Sequence, residues 1–127
     1  MVSVLVIEDD AAVRFSLLSA LESMGHTVET AVNGVEGVEK CVPGAFDLVI
    51  TDLIMPEKDG IETILELKLN NPDLKIVAIS GGGRNVDIME TTYRLGADCA
   101  LTKPFSVKDL SDCLFRVLSD TVAKQPF

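Results

Sequence analysis

The 127-residue chain is poor in basic side chains and cysteine, has a single histidine, and contains no long apolar stretch. Eleven lysines and arginines stand against twenty aspartates and glutamates, a net charge of −9. Nucleic-acid binding rests on a basic face that displaces counterions from phosphates. This balance therefore disfavours DNA or RNA as a direct partner, and an anionic membrane surface for the same reason. The uninterrupted apolar runs, such as Val4 to Ile7 and Ile76 to Ile79, fall far short of the roughly 20 residues that cross a bilayer. The opening residues MVSVLVIEDD carry no basic leader and meet three acids straight after the apolar run, unlike a secretory signal. Cys41, Cys99 and Cys113 are odd in number and lack paired spacing, which reads as reduced thiols in a cytoplasmic protein.

What is present is ordinary globular material: 47% hydrophobic and 24% charged residues, which argues against disorder. The length predicts one domain, 1–127 with a core over about 2–123 and no output domain after it. Runs rich in Val, Ile and Leu near 2–8, 27–32, 47–51, 75–80 and 98–103 read as parallel strands covered on both faces. Between them lie amphipathic stretches. Val13, Leu17, Leu21 and Met24 share one helical face, as do Val107, Leu110, Leu114 and Val117. Asn33 with Glu36, and Ser106 with Asp109, fit capping boxes. Gly25 and Gly96 sit where left-handed C-caps belong, and Pro72 stops the third helix. Strand and helix alternate five times, which predicts a doubly wound α/β sheet with helices on both faces. Ligands of such sheets bind beyond the carboxyl ends of the strands, where the strand order reverses.

The residues expected at those ends form a chemical set. Glu8, Asp9 and Asp10 follow the first strand, Asp52 the third, Ser80 and Gly81 to Gly83 the fourth, and Lys103-Pro104 the fifth. Crowded carboxylates raise one another's pKa, and a hard cation such as Mg²⁺ relieves the repulsion while tolerating phosphate oxygens in its shell. A carboxylate also attacks phosphorus to give an aspartyl phosphate. Lys103 and the metal would neutralise the incoming charge, and Ser80 and nearby N–H groups would donate to its oxygens.

The segments VLVIEDD, DLVITDLIMPEKDG, IVAISGGG and LTKPF resemble the signature blocks of the response-regulator receiver domain, over about residues 2 to 123. The resemblance implies a CheY-like, flavodoxin-like sheet of order 2-1-3-4-5 with five helices. It implies that Asp52 accepts the phosphoryl group, and that Asp9, Asp52 and the Ile54 carbonyl hold Mg²⁺ or Mn²⁺, with Glu8 reaching the ion through water. Ser80 and Lys103 match the switch hydroxyl and the paired lysine, and the backbone N–H groups of Leu53 and Gly81 are assigned to the phosphoryl oxygens. The Lys103–Pro104 bond falls where the family usually has a cis peptide. The implied partners are a histidine kinase or histidine phosphotransfer protein and a downstream protein target, met as a monomer or transient homodimer. One position departs from the pattern. Receivers usually carry Tyr or Phe three residues before the lysine, and here that residue is Ala100. The switch is therefore expected to be smaller, or carried by Tyr93 or the Gly81–Gly83 loop.

The plainer readings differ by residue. Asp10 reads as a helix cap, Asp59-Gly60 as the turn opening the third helix, and Asp47, Asp73 and Asp87 as solvated charges. His26 reads as an exposed loop residue. Cys41 and Cys113 read as small core residues of helices, and Cys99 lacks a second cysteine at redox-motif spacing. The glycine run lacks the lysine of a P-loop. A haloacid-dehalogenase-type phosphatase would need an acid where Ile54 stands, and a flavin mononucleotide carrier would need a phosphate loop where the chain is acidic. The chain is thus not expected to turn over small substrates. The competing function is a receiver-fold interaction module independent of phosphorylation, motivated by Ala100 and opposed by the intact acid, serine and lysine set.

Overall fold

Each of the five apolar runs forms a strand in the computed structural model, which describes residues 2–53, 60–81 and 93–123, with side chains through 119. The elements are β1 (Ser3–Ile7), α1 (Ala11–Ser23), β2 (Thr27–Ala31), α2 (Gly34–Lys40), β3 (Leu48–Asp52), α3 (Gly60–Asn70) and β4 (Lys75–Ser80). Residues 93–95 are helical and are labelled α4; β5 (Cys99–Thr102) and α5 (Val107–Ala123) are the last described elements. Ile54, Asp59, Gly82, Gly83 and Asp87 lie outside the described residues.

The strands pair in parallel in the order β2-β1-β3-β4-β5. Alternation along each strand divides the core in two. Val4, Val6, Leu48 and Ile50 pack with Leu17 and Leu21 of α1 and Leu110, Leu114 and Val117 of α5. Leu5, Ile7 and Val49 pack on the opposite side with Ile64 and Leu67 of α3. Fully burying one such side chain stabilises by roughly 1.5–3 kcal/mol over leaving it exposed. This division makes the central runs continuously apolar. β2 departs from that expectation. It is a sheet edge with exposed Thr27 and Glu29, and Lys40 Nζ donates to the Thr30 carbonyl at 2.7 Å.

Helix ends follow their sequence signals. Asn33 accepts from Glu36 N–H at 2.8 Å. Ser106 and Asp109 make the complete reciprocal box, 3.0 Å in each direction. Gly25, at φ 93°, ends α1 by donating to the Glu22 carbonyl, while His26 N–H donates to that of Leu21. That pair of bonds is a Schellman motif, and it needs the left-handed residue. His26 is not the exposed residue expected. It is half-buried, and its Nδ1 accepts the Val2 N–H at 3.2 Å, because the turn folds the ring back against the start of β1. Since β2 lies on one side of β1 and β3 on the other, the order reverses between β1 and β3. The acids that follow those two strands therefore share one crevice.

Candidate functional site

The β1–α1 turn carries two different acids. Glu8 is fully buried, whereas Asp9 is exposed. Glu8 Oε2 accepts the Asp10 N–H at 3.1 Å, and Asp10 Oδ1 accepts from Val13 N–H at 3.1 Å, capping α1 as expected. The Arg14 guanidinium reaches back from α1 to the carbonyls of Glu8 at 2.9 Å and Asp9 at 3.3 Å. Charge-assisted bonds of this kind hold a turn more firmly than neutral ones. Arg14 was invisible from sequence, since nothing in an arginine on a helical face says which carbonyls it will meet.

Asp52 ends β3 at 4% exposure. The chain then continues without the amide expected of Leu53. Its N–H donates to the Ile79 carbonyl at 3.0 Å, extending the β3–β4 ladder by one rung. The assignment of that N–H to the phosphoryl group is therefore corrected. Leu53 instead has a buried side chain and a carbonyl that accepts the Gly60 N–H at 2.8 Å. Gly60 lies so close to the Asp52 carbonyl and the Leu53 Cα that a Cβ would collide with backbone. Its glycine is needed for this approach more than for a turn. The available signal was a glycine, a poor helix former, standing at a helix start.

Ser80 is buried at the end of β4, one residue beyond Ile79, the register partner of Asp52. Its carbonyl accepts the Lys103 N–H at 2.8 Å, so the backbone fixes where that lysine leaves β5. Gly81 follows exposed, with open space where a Cβ would stand. The Lys103–Pro104 peptide is cis. The Lys103 ammonium lies 2.8 Å from Asp52 Oδ2 and 3.2 Å from Glu8 Oε1. Burial works against its charge, but Asp52 and then Glu8 hold its pKa above the ordinary lysine value.

Ligand oxygens of Glu8, Asp9 and Asp52 all lie within 4.8 Å of one another. Among the described residues, three carboxylates thus cluster together and two of them face the Lys103 ammonium. Burial, and then the neighbouring Asp52, push the Glu8 carboxyl up to about 7, against the pull of the Asp10 N–H and Lys103. Glu8 Oε1 has an ion-pair distance to Lys103 but no hydrogen-bond partner of acceptable geometry. A buried, unsatisfied carboxylate oxygen in an all-oxygen cluster fits a hard divalent cation. Ile54, the remaining expected ligand, lies outside the described residues.

The two expected switch residues meet. Ala100 pairs with Ala78 in the β4–β5 register, and the Tyr93 phenol lies near enough to the Ala100 backbone to feel it electrostatically. Burial raises the Tyr93 phenol above its usual pKa, although the residue is still 48% exposed. An aromatic ring thus lies beside position 100, supplied by α4 rather than by β5. Among the described residues no helix is long and apolar enough to cross a membrane.

Comparison with known proteins agrees with this geometry. The response regulator receiver domain profile matches residues 4–115. The sensor kinase CckA of Brucella abortus is 37% identical over 121 residues, covering 91% of this chain and 12% of that protein. A response regulator receiver domain protein from Clostridium thermocellum superposes with a TM-score of 0.88 at 28% identity, covering 98% of this chain and all of that one. A response regulator from Burkholderia pseudomallei, solved with a phosphorylated aspartic acid and a calcium ion, superposes with a TM-score of 0.80 at 25% identity, covering 98% of this chain and 75% of its own. The chain spans less than half the length of the first curated relatives it matches. In sequence, in strand order and in the convergence of Glu8, Asp9, Asp52 and Lys103, the chain belongs to the response regulator receiver domains of two-component signalling.

Proposed function

We propose that Asp52 accepts a phosphoryl group from a phosphohistidine donor, a histidine kinase or phosphotransfer protein, and that the resulting aspartyl phosphate resets a protein-binding surface. A carboxylate oxygen of Asp52 attacks phosphorus, the phosphorus–nitrogen bond breaks, and the donor imidazole leaves with its electron pair and takes up a proton. The single observation that carries this reading is the position of Lys103, 2.8 Å from Asp52 Oδ2, where its ammonium meets the charge delivered to that oxygen. Asp9, Asp52 and the Ile54 carbonyl would hold a Mg²⁺ or Mn²⁺ ion, with Glu8 supporting it through water. When bound, the ion supplies charge neutralisation and orientation of the phosphoryl oxygens. The Ser80 hydroxyl and the Gly81 N–H donate to those oxygens.

Readout runs through the α4–β5–α5 side. A ligand shifts a two-state equilibrium only by its differential affinity for the states. The Tyr93–Ala100 contact is the element that differs between them. The chain catalyses its own phosphorylation and dephosphorylation without turnover of small substrates, acts in the cytoplasm, and meets its downstream protein as a monomer or transient homodimer.

The test is intact mass after incubation with Mg²⁺ and acetyl phosphate, with Asp52→Ala in parallel. One hydroxylamine-labile phosphoryl group in the wild type alone supports the reading. If neither acetyl phosphate nor a phosphohistidine protein modifies the chain, the phosphorylation-independent interaction module takes its place.

A further inference from the structure

Two cysteines unrelated in sequence meet beneath α5. Cys99 opens β5 and Cys113 lies in α5, fourteen residues on. Both are 1% exposed and belong to the same core layer, and Cys113 stands three residues before Arg116, on the α5 face turned to Cys99. Arg116 supplies a donor from the same face. Its Nη2 lies 3.0 Å from Cys99 Sγ, although the arginine itself is exposed. Among the groups around this pair, Tyr93 completes the ring from the α4 side.

A sulfur that only fills space has no use for a guanidinium. One that accepts from an arginine is drawn toward the nucleophilic thiolate, even though the Cys99 thiol also lies 4.0 Å from the Ala100 carbonyl. The neighbouring Cys113 thiol first, and then Arg116, bring the Cys99 thiol down to about 6 in spite of burial. The neighbouring Cys99, and then burial, keep Cys113 protonated. Cys41 is the internal control. It is buried without such donors, and burial pushes its thiol up.

We propose that Cys99 and Cys113 form an oxidant-sensitive dithiol, in which Cys99 attacks a small hydroperoxide and Cys113 resolves the product into an intramolecular disulfide. The Cys99 sulfur bonds to the terminal peroxide oxygen, the oxygen–oxygen bond breaks, and the departing alkoxide or hydroxide takes a proton. Cys99 is then a sulfenic acid, oxidised by two electrons. The Cys113 sulfur attacks the Cys99 sulfur. A sulfur–sulfur bond forms, the sulfur–oxygen bond breaks, and the thiol proton leaves with the hydroxyl as water. Two thiols and one hydroperoxide thus give one disulfide, one alcohol or water, and one water. The oxidant enters at the exposed Arg116 side of the seam between β5 and α5. The bond ties β5 to α5 next to the Tyr93–Ala100 contact, and its formation does not depend on phosphorylation of Asp52.

The experiment treats the reduced full chain with hydrogen peroxide, followed by intact mass and non-reducing peptide mapping. The wild type is expected to lose two hydrogens and to yield a Cys99–Cys113 linked peptide. Cys113→Ser is expected to accumulate a dimedone-reactive sulfenic acid on Cys99. Arg116→Gln is expected to slow the oxidation several-fold at neutral pH while leaving the fold, followed by circular dichroism, unchanged. The wild-type map decides the case even if a serine variant fails to fold. Absence of the linked peptide, oxidation of Cys41 as fast as Cys99, or an unchanged rate in Arg116→Gln overturns the proposal.

Discussion

Gly60 is packed against the carbonyl of Asp52 with no space for a side chain between them. The first residue of α3 thereby stands against the acidic crevice, and its N–H donates to the Leu53 carbonyl at 2.8 Å. Gly60→Ala forces backbone apart at the proposed phosphoacceptor. Overpacking of this kind costs about 1–3 kcal/mol. The expected outcome is a melting temperature lower by several degrees and slower labelling by acetyl phosphate. A variant that melts and labels like the wild type would show that the contact is slack.

Divalent ions should stabilise the protein. An ion bound only by the folded state, at a hundred times its dissociation constant, adds about 2.7 kcal/mol. Thermal denaturation across a Mg²⁺ series is expected to show a rising midpoint in the wild type and a flat one in Asp9→Asn. Arg14→Gln loosens the carbonyls of Glu8 and Asp9 without removing a carboxylate. Its midpoint should still rise, but at several-fold higher Mg²⁺. Equal responses from all three proteins would place the ion elsewhere.

His26 makes stability depend on pH at the far end of the sheet. Burial lowers its pKa below the ordinary histidine value, and its Nδ1 accepts the Val2 N–H only while unprotonated. The unfolded chain therefore binds the proton more readily than the folded one. Its contribution to stability is complete above the unfolded value near 6.5 and is lost as pH falls from there toward the lower folded value. Urea titrations of the wild type and His26→Gln should diverge across that acidic window and run parallel above it. A constant difference at every pH would mean that the ring matters by packing alone.

The chain has one tyrosine and no tryptophan, so tyrosine emission reports on Tyr93 alone. If the Tyr93–Ala100 contact is the moving part, acetyl phosphate with Mg²⁺ should change that emission in the wild type and leave Asp52→Asn unaffected. Labelling of Asp52 in a Tyr93→Phe variant is expected to proceed at close to the wild-type rate, since the hydroxyl lies outside the acidic crevice. An emission that ignores phosphorylation would move the switch to another element.

Strands and helix ends were legible in the sequence because their causes are local. The apolar runs at 4–7, 48–50 and 76–79 dictate buried parallel strands. Ser106 with Asp109 dictates a box, and Gly25 a left-handed cap. The convergence of Glu8, Asp9, Asp52 and Lys103 was legible because strand ends are read from where apolar runs stop. What escaped depends on register or on contacts between distant elements. No sequence shows that the Leu53 N–H continues the β3–β4 ladder, since a single added rung carries no residue preference. Arg14 looks like any surface arginine, and Gly60 like any turn glycine. Cys99 and Cys113 are joined only when β5 and α5 pack.

The outer edge of the sheet at β2 bears on how the chain behaves at high concentration. An unpaired strand edge is a template for strand addition from another copy. Here Glu29 places a charge in mid-strand and Lys40 occupies the Thr30 carbonyl that an incoming strand would need. Extending the sheet past β2 would bury that carboxylate and displace that ammonium. Strand addition at the β2 edge is thereby disfavoured when copies are crowded together.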